Sequence, residues 1–134
     1  MTLLAAHAAS ELETHAPFDG RPPAPAQTRA DAMARFEGDE VFYERIVPLF
    51  CSAATEQACA LVEATSAGDR DAIQHWAHTL KGSLLTVGAT RSAELAEDVE
   101  RAGRECRLEG LPARVRRLVA ENAIIVAHLS ATDA

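Results

Sequence analysis

Trp76-Ala77-His78-Thr79-Leu80-Lys81-Gly82-Ser83, near the middle of the 134-residue chain, decides how the rest is read. With ~100° between successive helical residues, Ile73, Ala77, Leu80, Leu84 and Val87 fall on one apolar stripe, and the spacing predicts an amphipathic helix from about Arg70 to Val87. His78 points away from that stripe. Gln74, Lys81, Gly82 and Leu85 stand at −4, +3, +4 and +7 from it and share its outer face. A glycine inside a helix costs about 1 kcal/mol relative to alanine, so Gly82 signals a need for close approach. Leu85, apolar and turned outward beside a histidine, a lysine and a gap, reads as part of a small docking surface.

The chemistry that suits this face is phosphoryl transfer through an imidazole. A neutral imidazole nitrogen is a nucleophile near pH 7, because the free side chain titrates near ~6.5. A phosphoryl group on that nitrogen adds negative charge, which the ammonium of Lys81 can screen, and Gly82 leaves room for the group and for a partner's active site. His75 stands one turn before His78, but an i, i+3 histidine pair needs a further ligand to hold a metal and the sequence places none, so His75 joins Gln74 and Leu85 as a docking rim. Trp76, about 200° round from His78, belongs to the boundary or core.

Outward from this helix the chain is punctuated for more helices. Thr28 or Asp31 can cap a short helix through Phe36 that ends at Gly38, and Asp39 can cap a long one. In the long helix Phe42, Ile46, Leu49, Phe50, Ala53, Ala60, Leu61 and Ala64 fit one inward face, with Gln57 at its boundary and Pro48 expected to kink it near Glu44. Ser66-Ala67-Gly68-Asp69 closes that helix and caps the next. Gly88 ends the helix of His78, in a left-handed conformation. Thr90 can then cap a third long helix with Leu95, Val99, Ala102 and Cys106 inward. Gly110-Leu111-Pro112 opens a fourth, marked by Val115, Leu118, Asn122, Ile125 and Leu129. Arg114, Arg116 and Arg117 read as its solvated face, and His128 as a complement to its dipole. Long helices joined by short connections are antiparallel neighbours. The expected fold is all-α, an antiparallel up-down-up-down four-helix bundle over residues 28–131 with a short extra N-terminal helix. Residues 1–27 read as a Pro/Ala-rich tail or linker, with one short helical stripe at Leu4, Ala8 and Leu12.

Ala77-His78-Thr79-Leu80-Lys81-Gly82-Ser83, followed by Gly88-Ala89, Leu95 and Glu100, resembles the signature of histidine-containing phosphotransfer (HPt) domains. Gly38-Asp39 with Phe42-Tyr43 and Phe50 resembles the run such domains carry on an earlier helix, and Gly68-Asp69 the turn before their active helix. The resemblance covers roughly Thr28 to Glu105, with Ser92 standing where the family usually has leucine. It implies a four-helix bundle that relays phosphate between receiver-domain aspartates in two-component signalling, through His78 as phosphoacceptor with Lys81 in charge support and Gly82 for clearance. The partners implied are response-regulator receiver domains and a sensor (hybrid) histidine kinase, with magnesium carried by the receiver. The chain would be a phosphocarrier rather than an enzyme, with no cofactor or metal of its own. It shows no glycine-rich phosphate loop and no clustered carboxylates beside His78. The alternative is a non-catalytic adaptor of the same fold that binds a receiver or kinase without being phosphorylated.

Composition narrows the remainder. Apolar residues make up 48% while aromatics are 4%, which suits close-packed helices rather than a sheet. A net charge of −7 argues against nucleic acid and against an anionic membrane surface. Cys51, Cys59 and Cys106 match no zinc spacing and read as small buried hydrophobes in a reducing compartment. No unbroken apolar run reaches the ~18 residues of a membrane span, and Met1–Ala6 lacks a basic leader. A cytoplasmic monomer is the expectation.

Overall fold

A computed structural model of the chain describes residues 25–131, with side chains from Arg29. The expected helix around Leu4, Ala8 and Leu12 lies outside these residues. Five helices follow one another: α1 (Pro25–Arg35), α2 (Glu40–Ala67), α3 (Arg70–Thr86), α4 (Thr90–Arg104) and α5 (Leu111–Ala131). The described residues contain no strand. Helices α2 to α5 form a ring in which each packs on its neighbours in sequence and α5 returns to α2, while α1 lies against α5 and α2 at one end. The cross-helix contacts run antiparallel: His78 meets Glu100 and Arg70 meets Cys106, while Cys51 meets Val126 and Asn122 meets Ala54. This is the expected four-helix bundle with its short N-terminal helix.

Local chemistry sets the helix boundaries. Asp39 and Asp69 accept hydrogen bonds from the backbone N–H groups of Phe42 and Ala72, at 3.0 and 3.1 Å. Each cap contributes about 1 kcal/mol. Gly68 and Gly88 close α2 and α3 with φ of 68° and 75°, and Asp69 and Ala89 send their N–H groups back to the Ala64 and Leu84 carbonyls. Such returns satisfy carbonyls that a helix end leaves unpaired.

Two boundaries differ from expectation. Helix α1 begins at Pro25 rather than Thr28, inside the Pro/Ala run. Proline is tolerated there because a first-turn N–H has no helical partner to lose. Thr90 is the first residue of α4 rather than its cap; Ala89 holds that position with no side-chain bond. Helix α2 runs as one helix from Glu40 to Ala67 with Pro48 inside it, as expected.

The core is apolar and drawn from every helix. Ile73, Ala77, Leu80, Leu84 and Val87 are each 0–1% exposed, as the stripe on α3 requires, and Val115, Leu118, Asn122, Ile125 and Leu129 are buried on α5. On α2 the expected register fails in its first half. Tyr43, Val47, Phe50, Ala54, Ala58, Leu61 and Ala64 are buried, whereas Phe42 and Leu49 are exposed and Ile46 and Ala53 half-buried. That half carries two competing apolar stripes one residue apart. α1 supplies partners to the Tyr43 side: the Arg29 guanidinium lies 4.6 Å from the Tyr43 ring centre, and Phe36 packs edge-on to both Tyr43 and Phe42.

Polar and sulfur side chains supply further corrections. Cys59 and Cys106 are exposed and Cys51 half-buried, because Cys106 falls beyond the end of α4 and Cys59 lies on an open groove between α2 and α5. Arg114 is buried rather than solvated. One window of α2 reaches a mean hydropathy of 1.2, enough by length and composition to cross a membrane. Only 28% of that window is buried in the bundle, and Val41, Phe42, Leu49 and Val62 of the same helix are exposed.

Candidate functional site

The outer face of α3 presents His78 at mid-helix, its side chain 65% exposed. Gln74 is half-buried, His75 and Leu85 are exposed, and the His75 ring meets Trp76 edge-on at 4.8 Å. Trp76 is half-buried against the core, as a boundary residue should be. A Cβ placed on Gly82 would meet nothing within 4 Å. The glycine is therefore not needed by any packing contact among the described residues.

The electrostatics of this face come from α4. Glu100 is 8% exposed and reaches across to α3. Its Oε2 lies 3.0 Å from His78 Nδ1, and its Oε1 lies 3.0 Å from Lys81 Nζ. Lys81 also approaches Glu97 Oε1 at 3.5 Å, and Arg104 stands 3.8 Å from Glu100 Oε2. Burial pushes the Glu100 carboxyl up. The hydrogen bond and charge of Lys81, followed by those of His78, outweigh it and hold the group below its ordinary range. Conversely, the hydrogen bond to Glu100 raises the Lys81 ammonium despite the opposing effect of burial.

A carboxylate held ionised has no proton to give, so the contact with His78 is made by an Nδ1–H that donates. In the neutral imidazole the lone pair is then on Nε2, which has no hydrogen-bond partner among the described residues. The arrangement fixes both tautomer and ring orientation on a rigid helix. In the neutral ring it is therefore Nε2 that faces out of the protein as the nucleophilic nitrogen, beside a lysine and a gap.

A second polar contact ties α3 to α2. The Ser83 hydroxyl donates to Gln57 Oε1 at 2.7 Å, so the boundary amide of α2 meets a residue of the His78 stretch. The Thr79 and Thr86 hydroxyls bond back to the His75 and Gly82 carbonyls one turn earlier. With Glu100 on one side and Gln57 on the other, α3 is held against rotation about its own axis.

Of the residues expected at the site, Gln74, His75 and His78 share a shallow recess of about 290 Å³ with Asp71 and Glu100. Lys81, Gly82 and Leu85 lie further along the same face, outside that recess. Sequence reasoning gave Glu100 no role and counted no carboxylates beside His78. One, Glu100, contacts His78, and Lys81 binds it together with Glu97. The available signal was Glu100 standing next to Val99 in the inward stripe of α4. Among the described residues no three His, Cys, Asp or Glu side chains converge as metal ligands.

The model of the family described as Hpt domain matches residues 45–129, more than half of the chain and the whole of α3 and α4. No curated protein and no solved structure matches.

Proposed function

The chain belongs to the Hpt domain family, whose members are phosphocarrier modules in phosphorelays rather than kinases, and from that premise we propose that it relays a phosphoryl group through His78 between receiver-domain aspartates. The observation that carries this reading is the Glu100 contact at 3.0 Å, which engages Nδ1 and so makes Nε2 the lone-pair nitrogen of the neutral ring on an exposed face. The Nε2 lone pair attacks the phosphorus of an aspartyl phosphate. The bond from phosphorus to the aspartate oxygen breaks, and the aspartate leaves as a carboxylate with the electron pair. No proton has to be removed from the nucleophile. The positive charge that grows on the ring is offset through Nδ1–H by Glu100. Lys81, placed between Glu97 and Glu100, supplies positive charge toward the phosphoryl oxygens. Transfer to a second receiver is the same step reversed.

Gln74, His75 and Leu85 form the rim on which the receiver docks, and Gly82 gives clearance for its loops. The partners in this reading are response-regulator receiver domains and a sensor (hybrid) histidine kinase in two-component signalling. The receiver brings magnesium, and this chain works as a cytoplasmic monomer. Of residues 1–27, expected as a tail or linker, those before Pro25 serve that role for the bundle.

Incubation with a phosphorylated receiver tests the proposal. The chain should acquire a label that is labile in acid and stable in base, and His78→Gln should abolish it with the helical circular-dichroism spectrum unchanged. Label retained in that variant would move the phosphate to another residue. Receiver binding without label in the natural chain would leave only the adaptor reading.

A further inference from the structure

The end of the bundle where α4 turns into α5 carries groups that phosphotransfer does not use. Cys106 stands just past α4 with φ of 60°, at the left-handed position where such turns usually carry glycine. The Arg107 N–H reaches back to the Ala102 carbonyl at 2.9 Å and completes the turn, which leaves the thiol exposed. The Cys106 sulfur contacts the Arg70 guanidinium at the start of α3.

Cys106, Arg107, Leu108, Glu109 and Arg114 line a recess of about 450 Å³. Arg107 is engaged with Glu105 at 3.0 Å. Arg114, in the first turn of α5, is only 8% exposed, yet among the described residues its guanidinium has no ion pair or hydrogen bond. Its nitrogens are not among the buried atoms without a partner, so what the side chain exposes is its charged end on the recess wall, within reach of an anion. The N-terminus of the 21-residue α5 adds its own positive end here, and Gly110 before it has no side chain with which to cap it. The Glu109 carboxylate, on the wall of the same recess, also has no partner among the described residues.

One recess thus offers an exposed thiol, an unpaired cation and an unpaired carboxylate. We propose that Cys106 is a site of mixed-disulfide formation with a small amino-acid-derived disulfide, whose carboxylate is held by Arg114 and whose ammonium is held by Glu109. The thiol loses its proton to solvent, and the resulting thiolate attacks one sulfur of the incoming disulfide. A new sulfur–sulfur bond forms at Cys106. The old one breaks, and the departing thiolate takes the electron pair and is protonated by solvent. The incoming disulfide is the oxidant, so no other is needed.

Cys59 provides an internal control. It is exposed, but it lies on the groove between α2 and α5 beside Val62, Ala123 and Val126, with no arginine on the lining. The whole chain is incubated with oxidised glutathione, and adduct formation at each cysteine is followed by peptide mass mapping without reductant. Cys106 should react about tenfold faster than Cys59, the ratio that one charge-assisted contact provides. With bis(2-hydroxyethyl) disulfide, which carries neither charge, that preference should disappear. Arg114→Gln should slow the glutathione reaction at Cys106 about tenfold and leave the neutral reagent unaffected. Equal rates at the two cysteines with oxidised glutathione, or the same preference for both reagents, would overturn the proposal. If Arg114→Gln does not fold, the two reagents on the natural chain decide the matter alone.

Discussion

On its inner side α3 buries Ile73, Ala77, Leu80, Leu84 and Val87 to 1% exposure or less. On its outer side the same helix holds His78 in solvent and leaves the space over Gly82 empty. Two glycines sharpen the contrast. Gly88 has φ of 75°, and a Cβ there would come within 2.7 Å of the Asp31 carbonyl oxygen on α1. Gly82 has ordinary helical geometry and nothing near it. The fold itself requires the first glycine and not the second. A residue that the fold does not require, kept at a cost in helix stability, points to a demand from outside the molecule.

The comparison can be broken from the inside first. Leu80→Ala empties a fully buried position and should destabilise the bundle by about 3 kcal/mol, read as a shift of the urea midpoint. A loss below about 1 kcal/mol would mean that the inner face is not the core. Gly88→Ala should cost about 2–3 kcal/mol, from the left-handed conformation and the overlap with α1. Retained stability in that variant would show that α1 does not pack on this turn.

The outer face should respond to charge instead of volume. The Glu100 carboxyl is held below its ordinary 4.5, so the stabilisation it gives is present above pH 4.5 and is lost as pH falls through the lower folded value. Lys81 is raised above 10.5, so its contribution is present below that pH and is lost as pH rises through the folded value. Glu100→Gln should cost about 1–2 kcal/mol at neutral pH and flatten the acid side of the stability profile, measured by urea unfolding at a series of pH values. An acid limb identical to that of the natural chain would remove Glu100 from the network. The smallest effect belongs to Gly82→Gln, which should raise stability by roughly 0.5–1 kcal/mol and yet lower transfer from a phosphorylated receiver. Undiminished transfer would erase the distinction between the two glycines.

Legibility in the sequence followed the same division. The stripe of α3 was readable to the residue because its apolar positions occupy one face only. The first half of α2 was not, since Phe42, Ile46 and Leu49 compete with Tyr43, Val47 and Phe50 at the same spacing. The Arg29 guanidinium of another helix sits over the Tyr43 ring, and no spacing within α2 encodes that contact. His78, Lys81 and Gly82 announced themselves by position on one helix. The bond from Glu100 to His78 joins residues 22 apart on different helices, and helical spacing cannot encode that. Cys106 was misread because the helical period was carried two residues beyond the point where α4 stops.

The ring of helices also has a kinetic side. Each of α2 to α5 meets its sequence neighbour across a short turn, and those contacts form at little loop-closure cost. The seam between α5 and α2 is different. Its polar contacts join residues 68 to 79 positions apart: Asn122 to the Ala54 carbonyl, and Cys51 to Val126 and Ser130. Closing that distance fixes most of the chain before any contact rewards it. The seam is therefore the last part of the bundle to assemble. Weakening it would speed unfolding while leaving the folding rate nearly unchanged.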